Sequence, residues 1–148
     1  MDEQAGYRIP LDLQGFFQHG RFEAVPLNES ITSNLHLLLI TAYEEFDFDA
    51  DYGCDLWEHE FSAQHISAVW VDRMAENIKR TIERYERRLL NVEVKVEMSQ
   101  AEFAQKQDGQ VARRLKRKLH VQLTARLAST NEPFRFVDSI LLAPFSLD

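Results

Sequence analysis

Between Ile66 and Met98 the hydrophobic period of this chain changes from that of a helix to that of a strand, with almost nothing in between. Ile66, Val69, Trp70, Met74, Ile78, Ile82, Tyr85 and Leu89 recur at three- and four-residue intervals for about seven turns, the repeat that puts side chains on one helical face. Val92, Val94, Val96 and Met98 then alternate with Glu93, Lys95 and Glu97, the period of a strand with one wet face. A long helix that feeds directly into a strand needs a tight, well-held corner. That corner is Tyr85-Glu86-Arg87-Arg88-Leu89. Arg87 and Arg88 complement the negative end of the helix dipole. Glu86 is placed to accept a bidentate bond from an arginine and so lock the turn.

The remaining segments fit around this pair. Residues 1–27 read as an irregular or weakly extended arm, broken by Pro10 and Pro26 and punctuated by Gly6, Gly15 and Gly20. Leu11, Leu13, Phe16 and Phe17 make the arm too apolar to hang free. Asn28 or Ser30 can cap a helix whose apolar face is Ile31, Leu35, Leu38, Leu39 and Ala42. Residues 44–55 alternate Phe46 and Phe48 with carboxylates before a turn at Gly53, which predicts a short extended segment with one buried face. Leu56 to Phe61 predicts a short helix, and Ser62 a cap for the long one. Residues 99–118 are polar and predict a loop turning at Gly109, with the basic run Arg113–Lys118 inside it. Leu119, Val121, Leu123, Ala125 and Leu127 alternate again, and Asn131-Glu132-Pro133 turns the chain into a third strand over 134–142. Helices followed by strands imply an α+β fold, a small antiparallel sheet of about three main strands against two main helices. The expected organisation is an arm over 1–27 and one domain over 28–148.

Charge is unevenly distributed. Residues 1–60 hold 13 acidic and 2 basic side chains, whereas residues 61–148 hold 11 acidic and 15 basic. Such polarity suits head-to-tail contact between copies or docking into a larger assembly; equally, the two ends of one folded domain can neutralise each other. No run approaches the roughly 18 apolar residues that span a bilayer, and Met1-Asp2-Glu3-Gln4 lacks the basic and apolar regions of a signal peptide. A lone Cys54 forms no internal disulfide. A cytoplasmic protein without membrane insertion is expected.

No chemical motif stands out. Asp47, Asp49, Asp51, Asp55, Glu58 and Glu60 are dense enough to suggest the paired carboxyls of a glycosidase, but an acidic loop is ordinarily solvated and offers no acid or base by position. Cys54, His59 and His65 have no zinc spacing and no fourth ligand, and Cys54 has no positioned base to activate it. Arg113–Lys118 carries five positive charges in six residues without the interleaved aromatics that stack on bases. Nucleotide loops are absent. No cofactor, metal or nucleic acid is expected.

Taken in order, Ile31–Leu39, Tyr52-Gly53-Cys54-Asp55-Leu56-Trp57, and Tyr85–Leu89 leading into Val92–Val96 resemble the phage baseplate-wedge family, often labelled lysozyme-related, whose bacterial counterpart is TssE of type VI secretion systems. The match spans residues 28–98 well and the later strands more loosely. The family carries Glu-Pro-Arg at the corner; here Glu86 and Arg88 carry over, and Arg87 stands in the proline's place. The resemblance implies a non-enzymatic baseplate component of a contractile injection machine that initiates sheath polymerisation. A sheath subunit would add strands to an open sheet edge, with Tyr85, Glu86, Arg87 and Arg88 at the partner-binding corner and Tyr52, Gly53, Leu56 and Trp57 as a structural motif. Its partners would be sheath subunits and other baseplate proteins. The alternatives are a cell-wall glycosidase and a small regulatory adaptor on the same fold.

Overall fold

The computed structural model describes residues 4–55 and 67–146. In chain order these form β1 (Gln4–Tyr7), α1 (Leu13–His19), β2 (Ala24–Pro26), α2 (Leu27–Ile40), α3 (Ala68–Tyr85), β3 (Leu89–Gln107), β4 (Gln110–Leu127) and β5 (Pro133–Ser146). β1 and β2 make a two-stranded antiparallel sheet, and β3-β4-β5 make a three-stranded antiparallel one. The fold is α+β, as the change of period implies.

The core lies between one face of the larger sheet and the two longer helices. Ile31, Leu35 and Leu39 of α2 and Met74, Ile78 and Ile82 of α3 are buried against Val92, Val96, Leu119, Val121, Leu123, Phe136, Ile140 and Leu142. On α3 those positions are spaced by four, so its apolar stripe is what turns the helix onto the sheet. Along β3 and β4 the alternate side chains Glu93, Lys95, Glu97, Thr124 and Arg126 stay exposed.

Several expectations change. The arm is not irregular: Asp12 caps α1 by accepting from the Gly15 N–H at 2.9 Å, and Gly20, at φ 70°, closes it. α2 starts at Leu27, with Pro26 in the capping position and no side-chain cap, so neither Asn28 nor Ser30 serves that role. α3 is capped by Ser67, whose hydroxyl accepts from the Trp70 N–H at 3.2 Å, and ends at Tyr85, so Leu89 already belongs to β3. Leu56, Trp57, the expected helix 56–61 and the Ser62 cap lie outside the described residues.

The largest correction concerns residues 99–118. They are not a loop but the outer half of a hairpin paired without interruption from Glu93↔Thr124 to Gln107↔Gln110. Asp108 and Gly109 turn it with φ of 52° and 79°, the two left-handed residues that match the twist of a hairpin. Cross-strand pairing supplies here what apolar alternation does not. The basic run is therefore part of a strand, and Arg117 within it is buried. Among the described residues β5 accompanies β4 as far as Arg114↔Ser146, and from there to the turn the hairpin is a two-stranded ribbon.

Candidate functional site: the helix-to-strand corner

Three residues separate the last turn of α3 from the first of β3, and the corner is held by an ion pair folded back on itself. Glu86 takes the helix C-cap position, and its N–H donates to the Ile82 carbonyl at 2.8 Å. Its carboxylate is 2% exposed. Arg88 grips it in a fork, Nε to Oε1 and Nη2 to Oε2, both at 2.8 Å, and the Arg88 N–H adds a third bond to Oε1 at 3.2 Å. The third guanidinium nitrogen, Nη1, donates to Ser30 Oγ on α2 at 2.9 Å. The Arg88 carbonyl accepts from the Ala128 N–H at 2.8 Å, which ties the corner to the end of β4.

The second oxygen of Glu86 also accepts from Asn34 Nδ2 at 2.9 Å, and Asn34 Oδ1 accepts from the Tyr52 hydroxyl at 3.1 Å. Tyr52 in turn meets the Tyr85 ring edge-on at 5.1 Å. Two motifs far apart in sequence, the Tyr52-Gly53 turn and the Tyr85–Arg88 corner, thus form one network with α2 between them. Gly6 of β1 approaches so closely that a Cβ there would sit 2.2 Å from Ser30 Oγ, so the small sheet lies over the same spot. Arg87, between the two paired residues, is exposed.

Burial alone would raise the Glu86 carboxyl, but hydrogen bonds from Arg88 and Asn34, with the Arg88 charge, outweigh it and hold the group below the usual carboxylate range. The bond to Glu86 raises Arg88 further. Tyr52 is raised by burial first and by the Glu86 charge second. Each of these shifts favours the form already dominant at neutral pH: Glu86 as carboxylate, Arg88 as cation and Tyr52 as neutral phenol.

The segment before the corner is not the extended one expected. Residues 41–54 form a closed loop: the Cys54 N–H donates to Thr41 O at 2.9 Å and the Glu44 N–H to Ala50 O at 2.8 Å. Asp49 accepts from its neighbour's backbone, the Asp51 N–H, at 3.1 Å, the short-range bonding by which Asp competes with strand pairing. Gly53, at φ 131°, passes so near the end of α2 that a Cβ would stand 2.6 Å from Thr41 O. Asn77 on α3 holds the loop's far end, accepting from the Asp55 N–H at 3.2 Å and donating to the Tyr43 hydroxyl at 3.4 Å.

The carboxylates once grouped as a candidate acid–base set are divided by this arrangement. Asp49 Oδ1 accepts from the Tyr85 hydroxyl at 3.2 Å, and Asp51 pairs with Arg84 at 3.3 Å. Glu58, His59, Glu60 and His65 lie outside the described residues. Among the described residues no group of three or more His, Cys, Asp or Glu side chains is arranged to hold a metal, and no helix is long and apolar enough to cross a membrane.

Sequence reasoning found the Glu86–Arg88 pair and Tyr52 but missed Ser30 and Asn34 as their partners. The available signal was two polar side chains at i and i+4 beside the apolar stripe of α2.

Comparison with known proteins bears on the fold and the family. A crystal structure from Geobacter sulfurreducens that carries a provisional tail-lysozyme name superposes with a TM-score of 0.56, covering 80% of this chain and 94% of that one at 21% identity. At that identity the likeness concerns the fold. No curated protein matches. The family model described as baseplate wedge protein gp25 matches residues 25–132, which takes in α2, the Tyr52-Gly53 turn, α3, the corner and the β3–β4 hairpin. With well over half of its length so matched, the chain belongs to the baseplate wedge protein gp25 family.

Proposed function

We propose that this chain is a non-enzymatic structural component of the baseplate of a contractile injection machine of the type VI secretion kind, and that it initiates sheath polymerisation by strand addition. Its partners are sheath subunits and other baseplate proteins, and it works in the cytoplasm as one domain over 28–148 with the preceding residues as an arm. The observation that carries this reading is the larger sheet. Among the described residues its two outer strands, β3 and β5, each have a β4 partner on one side and none on the other, and an unpaired row of backbone donors and acceptors is a template for an incoming strand. The corner supports the reading by fixing where the sheet starts relative to α3. Glu86 is spent on the chain's own Arg88, so the corner's contact with a partner falls to the exposed Arg87 and the accessible part of Arg88.

Amide hydrogen exchange with and without purified sheath subunits tests it. Strand addition requires new protection along β3 or β5. Protection confined to the loops and the outer surfaces of the helices would sink the proposal.

A further inference from the structure

Phe48 stands 82% exposed on the 41–54 loop, and what lies beneath it is unusual for a surface side chain. Its ring stacks on Phe46 at 5.2 Å, Phe46 meets Tyr52 at 5.4 Å, and Tyr52 meets Tyr85 at 5.1 Å. Through the Tyr52 hydroxyl and Asn34 this ladder ends on the buried Glu86 carboxylate. The outermost ring is therefore supported by successive aromatic contacts from the best-held part of the molecule. An aromatic group fixed before binding gives up little freedom when a partner buries it, which is the property of interface anchors. The ring is also set among charge of one sign. Glu44, Glu45, Asp47, Asp49 and Asp51 place five carboxylates in eight positions, and Arg84 pairs with Asp51 among them. Glu44 and Asp47 are exposed.

We propose that the loop is a docking element that inserts Phe48 into an apolar pocket rimmed by Arg and Lys side chains on another protein of the assembly. Charge complementarity fixes the class of partner. Like charges opposed across an interface select against an acidic pocket, while rim cations steer the encounter and the buried ring carries the affinity. A second copy of this chain is a poor occupant, because its densest basic run, Arg113–Lys118, lies along strand β4 and its Arg117 is buried. This inference does not depend on strand addition.

The test is Phe48→benzoylphenylalanine in cells that assemble the machine, with light-induced cross-links mapped by mass spectrometry. The expected product joins position 48 to a different protein, at a segment that carries Arg or Lys. Adding Glu44→Lys and Asp47→Lys should leave the circular dichroism unchanged and lower the yield at least about threefold, as expected when rim charges on both sides turn alike. A cross-link to another copy, to a segment without Arg or Lys, or to nothing in assembled particles would overturn the proposal. So would a yield indifferent to the charge reversal. Hydrogen exchange along β3 and β5 is read separately, so a failure here leaves strand addition standing or falling on its own result.

Discussion

Glu86 and Arg88 are unequal partners, and their variants should differ. Arg88→Ala leaves a buried carboxylate without its cation and is expected to cost about 3 kcal/mol, the usual result of breaking a buried pair from one side. Glu86→Gln keeps a polar group of the same shape against Asn34 and strands only the more exposed arginine, so about 1–2 kcal/mol is expected. Urea titration at pH 7 measures both. The pH dependence has a fixed sign. Because the folded state depresses the Glu86 value, its contribution is complete above the unfolded glutamate value of about 4.3 and is lost as the pH falls through the folded one. The difference in stability between the parent chain and Glu86→Gln should therefore shrink on acidification below about pH 4, and a gap that widened there would refute the assignment. Gly53→Ala is expected to cost at least about 2 kcal/mol, since its φ of 131° and the 2.6 Å approach to Thr41 O leave no room for a Cβ. Thermal unfolding reads that loss directly.

Among the elements, the 41–54 loop depends on Asn77. Asn77→Ala removes the acceptor of the Asp55 N–H and the donor to Tyr43, and is expected to cost about 1–2 kcal/mol. Hydrogen exchange should show faster exchange at residues 54–55 with α3 itself little changed. This loop is also where the sequence misled. Phe-Asp-Phe-Asp has a strand's alternation, but Asp side chains bonding to nearby backbone favour turns, and Phe48 stacks on Phe46 in an exposed position instead of lying on a buried face. The outer hairpin was hidden for the opposite reason: its pairing partner lies across the turn, so no local pattern announces it, although Gly109 marked the turn itself. α3, the inner halves of β3 and β4, and the Glu86–Arg88 corner were legible because each is a periodic or contiguous signal. Asn34 and Ser30 were not, since their role depends on a contact 52 or 58 residues away.

Across the whole molecule, the charge asymmetry acquires a layout. The acidic loop is fastened to Tyr85 and Arg84 at the corner end of α3, whereas the basic run lies in the outer part of the β4 strand, where its partners are Ala104 down to Ser99 of β3. Many residues of strand separate the Arg113 end of the run from the corner, a span well beyond the roughly 8 Å over which exposed charges act at physiological salt, so the two regions are electrostatically separate. The ribbon beyond β5 can be tested as a unit. Replacing residues 105–112, which pair only with one another, by Asn-Gly should change the melting temperature by only a few degrees. If the ribbon serves the assembly, the shortened chain should fold normally in calorimetry yet support sheath formation poorly in cells.

The β3–β4 hairpin, at 19 residues in its longer strand, extends about 60 Å at the rise of a β-strand, and it springs from a corner only three residues wide. At that length a rotation of ~1° at the base carries the tip ~1 Å sideways. The forked bonds of Arg88 on Glu86 are thus a matter of angular tolerance as much as of folding energy: together with the core contacts of the inner strands, they set the direction in which the tip is presented.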